Sequence, residues 1–191
     1  ALSKNDSIEL HKNDTIKAGD GLVDPEIAKI LASEAPGCVH DLSALGVPFD
    51  KNSDGELSLS LEAAHSTARV ARVKGDTSGA EIIKVMVSRA QEAEHITGII
   101  GWRAESLLTD NNGGVTGTLA RRDDGAILSI EADITVLATG GIGGLFSVTT
   151  NPRTARGDAL GMAAVVGAQM RDLEFVQFHP TAIDIGRDPA P

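Results

Sequence analysis

The stretch Ile134-Thr135-Val136-Leu137-Ala138-Thr139-Gly140-Gly141-Ile142-Gly143-Gly144 runs from an apolar segment directly into a cluster of glycines. Residues 134–138 predict a buried β-strand, and the glycines lack a Cβ, so backbone there can approach a ligand closely. Exposed N–H groups at such a junction can hydrogen-bond a phosphate or the edge of a cofactor ring. A tight turn between a core strand and a loop is the alternative. The stretch is not a G-x-G-x-x-G fingerprint, which occurs nowhere in the sequence.

The composition favours an α/β protein. The 191 residues are 41% apolar and include 21 glycines but only 3% aromatics, which suits one domain or parts of two. The net charge of −10 repels nucleic acid and anionic membranes, so neither is expected as a partner. The single Cys38 fits a reducing compartment such as the cytoplasm. No signal peptide and no bilayer-spanning apolar run is evident.

Local patterns predict helices alternating with short strands. Helices are predicted at residues 5–18 with Asp6 as the cap, at 25–45 with a break near Pro36, from Thr77 onward, and at 157–167. Strands are predicted at 47–59 around Ser53-Asp54-Gly55, at 97–102, and in a meander of 104–109, 115–121 and 126–130. Residues 61–79 are predicted to form a loop.

Three further segments carry groups suited to binding. Asp158 precedes small residues at a predicted helix start, where it either caps the helix or binds a sugar hydroxyl of a cofactor. His179 and Thr181 flank Pro180 on extended backbone, so both can donate to one carboxylate; a buried His satisfied by backbone is the alternative.

The third segment is the loop Glu62-Ala63-Ala64-His65-Ser66, which is followed by Arg69 and Arg72. Its carboxylate, imidazole, hydroxyl and guanidinium groups favour a site for a polar or zwitterionic substrate. A solvated charged loop is equally consistent with the same residues. The five histidines of the chain show no metal-ligand spacing.

Together these segments resemble one enzyme family. VLATGG (136–141), TTNP (149–152), GDALGMA (157–163) and LEFVQFHPTA (173–182) are similar, in order and spacing, to the flavoprotein subunits of the succinate dehydrogenase/fumarate reductase family. DTIKAGDGLVD (14–24), LGVPFD (45–50) and EAAHSTARVARVKGDTSG (62–79) resemble the branch of that family that oxidises L-aspartate. The resemblance extends from about Asp6 to Ala182.

The resemblance implies an incomplete FAD-binding α/β domain, Rossmann-like and of the glutathione-reductase type, at residues 1–178. Its β-meander would lie at about 104–132, and an α+β capping domain would begin at 179. We therefore expect an internal piece of a longer protein, although a processed whole domain is an alternative. By resemblance, the residues that contact FAD are Ala104, Ala138, Thr139, Gly140, Gly141 and Asp158, and those that bind the substrate are Glu62, His65, His179 and Thr181.

The implied reaction is the oxidation of L-aspartate, or another small dicarboxylate, with O2 or fumarate as the electron acceptor. Its product, iminoaspartate, would pass to quinolinate synthase in NAD biosynthesis. The family's acid/base arginine would lie downstream of Pro191 and its dinucleotide motif upstream of Ala1. We therefore expect the isolated chain to be inactive and to bind little or no FAD.

Two alternatives remain open. A succinate dehydrogenase or fumarate reductase flavoprotein shares the fold, but Glu62 and His65 favour an amino-acid substrate. A non-catalytic binding or regulatory fragment would explain why half of each site is missing, but it would not require Glu62, Asp158 and His179.

Overall fold

The computed structural model describes residues 2–75, 77–177 and 183–186. The chain divides into two compact units, Ala1–Gly98 and Ile99–Pro191. Within the described residues, the first unit contains three helices and a two-stranded antiparallel sheet, and the second contains a three-stranded antiparallel sheet and one helix. Each unit therefore mixes helix and sheet, as the composition predicts.

The described residues form four α-helices and five strands. The helices are α1 (Ile8–Ala18), α2 (Pro25–Leu45), α3 (Ser78–Glu92) and α4 (Asp158–Val165). The strands are β1 (Leu59–Ser60), β2 (Val70–Ala71), β3 (Trp102–Thr109), β4 (Val115–Arg122) and β5 (Ile127–Glu131). A 3-10 turn covers Gly143–Leu145.

The core of the first unit is formed by Val47, Phe49 and Val73, which are all buried. Side chains of α2 and α3 pack against this cluster, among them Val39 and Ile82. Burial of these apolar surfaces stabilises the packing of α2 and α3 against the segments that carry Val47, Phe49 and Val73.

The predicted break in the second helix is wrong, because α2 continues through Pro36 as one helix of 21 residues. Pro36 has no N–H to donate to the preceding turn, which normally costs about 3 kcal/mol inside a helix. Ala32 is buried before the proline, and Val39 packs on the core after it. Packing on both sides of Pro36 therefore keeps the two halves in one helix.

A buried arginine fastens α1 to the loop before β2. Arg69 is only 6% exposed, and its Nε and Nη2 atoms donate to the two oxygens of Asp6 at 3.1 and 2.8 Å. Its Nη1 atom donates to Asp14 Oδ2 at 2.6 Å. This pairing explains why the predicted cap is wrong: Asp6 binds Arg69, and Ser7 caps α1 by accepting from the N–H of Leu10.

The arginine and its partners stabilise one another's charged forms. Burial alone would raise the pKa of Asp6, but hydrogen bonds from Arg69 and from the Ser7 N–H, together with the Arg69 charge, lower it overall. Hydrogen bonds from the N–H and hydroxyl of Ser66, and then from Arg69, hold the pKa of Asp14 well below its usual range. Hydrogen bonds to Asp6 raise the pKa of Arg69. All three groups are therefore charged at neutral pH.

The hairpin predicted at residues 47–59 is only partly present. Its turn forms as expected, because Asn52 Oδ1 accepts from the N–H groups of Asp54 and Glu56. Instead of two strands there is a single bridge between Lys51 and Leu57. The backbone N–H of Asp50 donates to Arg72 O at 2.8 Å, so this stretch pairs with the segment around β2.

The predicted meander is confirmed in the second unit, where β3, β4 and β5 form an antiparallel sheet in that order. Asp110 closes the first turn by accepting from the N–H groups of Asn112 and Gly114 at 2.8 Å. Asp124 closes the second by accepting from the N–H of Ala126 at 3.0 Å. The strand predicted at 97–102 is wrong, since β3 begins only at Trp102.

The buried strand predicted at residues 134–138 is also wrong. This segment has no regular secondary structure, and Ile134 and Val136 are each 80% exposed. A strand exists only through hydrogen bonds to a neighbouring strand, and no described segment supplies them here. The apolar pattern shows that residues 134–138 are suited to burial. It cannot show which strand would pair with them.

We expect Asp6→Asn to reduce the free energy of unfolding by about 3 kcal/mol at pH 7, because it leaves a buried guanidinium half-paired. The folded-state pKa of Asp6 is below the unfolded value of 3.8, so its contribution is complete above that value. The contribution is lost as the pH falls through the folded pKa. The difference in the free energy of unfolding between the native protein and the variant, measured with urea, should therefore narrow below pH 3.8.

The control Lys4→Gln removes an exposed pair with Glu56 and should leave the unfolding midpoint unchanged. An equal gap at every pH would contradict the ion-pair explanation.

We expect Gly117→Ala to disrupt the three-stranded sheet. A Cβ at Gly117 would meet Ile130 O at 2.0 Å, and its φ of +150° is unsuited to other residues. The expected loss of stability is at least about 3 kcal/mol, measured by urea unfolding. The matched control is Gly113→Ala, where φ is +83° but nothing lies within 4 Å, so the cost should be only about 1 kcal/mol. Equal effects of the two substitutions would show that the contact with Ile130 is not the cause.

Candidate functional site

The loop that was predicted to bind substrate lies in the first unit and contains a strained turn. The His65 N–H donates to Glu62 O at 3.2 Å, and Ala64 between them has φ of +70°. Left-handed backbone is unfavourable for a residue with a Cβ, by about 1–2 kcal/mol, and persists only where surrounding contacts impose it. Here the contacts of Ser66 and Arg69 fix the end of the turn.

Glu62 is paired with Arg72 through Oε1 and Nη2 at 2.5 Å, and each side chain is about half exposed. Both residues line a hollow of about 370 Å³ beside β2. An exposed ion pair of this kind contributes about 1 kcal/mol or less. The Glu62 carboxylate can therefore exchange Arg72 for the ammonium group of a ligand at little cost.

His65 is half-buried beside Arg69. Its Nδ1 lies 3.2 Å from Nη1 of Arg69, and its ring centroid lies 5.9 Å from that of His11. Burial, followed by the charge of Arg69, lowers the pKa of His11, so His11 is neutral near pH 7. The loop therefore presents the half-exposed Glu62 carboxylate together with an imidazole held against Arg69.

The second unit contains a cleft of about 840 Å³ between β3 and α4. Its β3 wall is the run Trp102–Leu107, which includes Ala104, and Arg103 adds a cationic side chain. Arg156, just before α4, adds another. The volume and the positive charges suit a nucleotide-sized ligand that carries phosphate.

Asp158 lies in the same cleft, in the first turn of α4. The helix cap is Gly157, with φ of +76° and no side-chain hydrogen bond, so the capping role considered for Asp158 is wrong. Within the described part of the chain, no hydrogen bond or ion pair engages the Asp158 carboxylate. The helix itself is shorter than predicted and ends at Val165. The exposed carboxylate is therefore available to a ligand in the cleft.

The glycine junction lies next to this cleft but does not line it. Ala138, Thr139, Gly140 and Gly141 are all exposed, and Gly140 has φ of +75°. Gly141 O accepts from the N–H of Gly157 at 3.0 Å, which connects the junction to the start of α4.

At two positions of the junction, close packing leaves room only for glycine. A Cβ at Gly143 would meet the Asn151 side chain at 2.6 Å, and one at Gly144 would meet Arg153 O at 2.8 Å. The second half of the junction therefore packs against the TTNP region, whereas its first half remains exposed.

The structure brings together only some of the predicted residues. Glu62 and His65 lie on one loop of the first unit, and Ala104 and Asp158 share the cleft of the second. His179 and Thr181, and with them the predicted start of the capping domain, lie outside the described residues. The sequence interpretation missed the pairing of Arg69 with Asp6 and Asp14, which lie 63 and 55 residues away. No local pattern could have indicated contacts at that separation.

Residues 2–75, 77–177 and 183–186 contain no feature of a metal site or of a membrane span. No cluster of three or more His, Cys, Asp or Glu side chains there is arranged to hold a metal ion. No helix in that part of the chain is long and apolar enough to cross a membrane.

Comparison with known proteins identifies relatives of the whole chain. L-aspartate oxidase of Caulobacter vibrioides is 54% identical over 191 residues, which is all of this chain and 37% of that protein. L-aspartate oxidase of Streptomyces coelicolor is 41% identical over 192 residues, covering 98% of this chain and 33% of the relative. The chain thus spans about a third of the length of these curated relatives.

Solved structures give the same fold. E. coli quinol fumarate reductase FrdA superimposes with a TM-score of 0.90 at 28% identity, covering 96% of this chain and 31% of that one. Mycobacterium smegmatis Sdh1 superimposes with a TM-score of 0.78 at 31% identity, covering 86% and 29%. The predicted fold class is therefore confirmed. Residues 1–190 match the FAD binding domain family, and the chain belongs to that family.

Proposed function

We propose that the polypeptide containing this chain is an FAD-dependent L-aspartate oxidase, which converts L-aspartate to iminoaspartate with O2 or fumarate as the electron acceptor. The observation that carries the proposal is the 54% identity, along the entire chain, with a protein of that name. The Glu62–Ser66 loop supports the choice of an amino-acid substrate, because its carboxylate can pair with an ammonium group. A succinate-oxidising or fumarate-reducing flavoprotein has no need of such a partner.

The cleft of the second unit fits the cofactor. FAD, when bound, supplies the group that accepts two electrons from the substrate. We propose that Ala104 lies beside the adenine and that Asp158 accepts hydrogen bonds from cofactor hydroxyl groups. The arginines at the cleft suit the cofactor's diphosphate. The exposed backbone of Ala138, Thr139, Gly140 and Gly141 is proposed to lie along the rest of the cofactor.

The substrate would be held by charge at both ends. We propose that Glu62 and His65 orient the ammonium end of L-aspartate and that His179 and Thr181 bind a carboxylate. Holding Cα in one orientation lowers the entropic part of the barrier, which is the protein's main contribution to a cofactor-driven oxidation. Iminoaspartate would then pass to quinolinate synthase in cytoplasmic NAD biosynthesis.

The decisive experiment uses the longest natural polypeptide that carries this sequence. Under anaerobic conditions, L-aspartate should bleach the absorbance of its bound flavin and succinate should not. Glu62→Gln should raise KM for L-aspartate at least about tenfold, because a charge-assisted hydrogen bond is lost, while the flavin content stays the same. The control Glu92→Gln removes an exposed carboxylate that pairs with Arg89 and should behave as the native protein. Bleaching by succinate alone would overturn the proposal in favour of the succinate dehydrogenase alternative.

A further inference from the structure

We propose that Arg69 is a positioning residue for substrate binding: it fixes the Glu62–Ser66 loop on α1 and sets which ring nitrogen of His65 carries the proton. The proposal rests on the proposed function for the role of the loop. Nothing in that function requires Arg69, which is buried and follows the loop in the sequence. The positioning role is inferred from the contacts that Arg69 makes.

Arg69 can make these contacts only because a guanidinium is a planar fork of five donors. Two of its nitrogens bind both oxygens of Asp6, and the third, Nη1, binds Asp14 and approaches His65. A lysine ammonium in the same place cannot span these three partners. The side chain of Arg69 is 4% exposed and that of Asp6 is 2% exposed, so water cannot replace a missing partner.

Asp14 Oδ2 is the point at which the arginine and the loop meet. The same oxygen accepts from Nη1 of Arg69 at 2.6 Å, from the N–H of Ser66 at 2.8 Å and from the Ser66 hydroxyl at 2.7 Å. Ser66 directly follows His65, so the end of the loop is fastened to α1 through this oxygen. Loss of the guanidinium would leave Asp14 without its cation and loosen that attachment.

The contact with His65 determines the tautomer of its imidazole. A guanidinium has no acceptor, so the nitrogen 3.2 Å from Nη1, which is Nδ1, must accept the hydrogen bond. The neutral ring then carries its proton on Nε2. Arg69 therefore makes Nε2–H the donor that His65 can offer to a substrate, and leaves Nδ1 occupied.

The test uses the longest natural polypeptide with FAD bound and compares Arg69→Lys with the native protein. We expect KM for L-aspartate to rise at least about tenfold while kcat falls less than about threefold, because the loop and the imidazole are displaced but the cofactor site is intact. With histidine labelled with nitrogen-15, the His65 ring signals should change from the Nε2–H pattern to that of mixed tautomers. His65→Gln assigns those signals.

Two further variants keep the result interpretable. Asp14→Asn leaves Arg69 in place but weakens the shared oxygen, so KM should rise by a smaller factor, about threefold. It also carries the test if Arg69→Lys does not fold. The control Arg89→Lys alters an exposed arginine that binds Glu92 and Leu45 O, and its kinetics should stay within about twofold of the native values.

The outcomes separate this proposal from the proposed function. A native protein that does not oxidise L-aspartate refutes the function, whereas the His65 signals still report on Arg69. Unchanged KM and unchanged His65 signals in both Arg69→Lys and Asp14→Asn would overturn the positioning role. Loss of flavin and of kcat at an unchanged KM would overturn it as well, because that pattern marks a purely structural residue.

Discussion

Burying a guanidinium group away from water is costly unless carboxylates surround it, and this constraint organises the first unit. Arg69 is paired with Asp6, just before α1, and with Asp14, within α1. The consequence is that α1, the loop at 62–66 and the approach to β2 are held as one assembly. The strained turn at Ala64 can persist because this assembly fixes the chain immediately after it.

The two units carry different groups of the predicted site residues. The first presents a loop with a carboxylate, an imidazole and nearby arginines, and the second presents a cleft whose walls come from β3 and α4. In the second unit the start of α4 depends on packing of small residues: the Gly157 N–H donates to Gly141 O, and Gly144 fits against Arg153 O. These contacts set the start of α4, and with it the exposed carboxylate of Asp158.

Features that depend on neighbouring residues could be predicted from the sequence. The meander follows from aspartates and glycines that close turns within four residues, as Asp110 does. Ala104 and Asp158, which the family resemblance implies as FAD contacts, both line the cleft of the second unit. Features that depend on residues far away in the sequence could not be predicted. The segment 134–138 is apolar but has no neighbouring strand in the described part of the chain, and α2 continues through Pro36 because packing on both sides outweighs the missing N–H.

The proposed function requires that the 62–66 loop binds the substrate and that the cleft beside α4 holds the cofactor. The most direct test is a crystal structure of the longest natural polypeptide with FAD and L-aspartate bound. With that function, the Glu62 carboxylate should lie within about 3 Å of the substrate ammonium, and Asp158 within the same distance of a cofactor hydroxyl. A structure in which Glu62 stays on Arg72 while the substrate is bound elsewhere would contradict it.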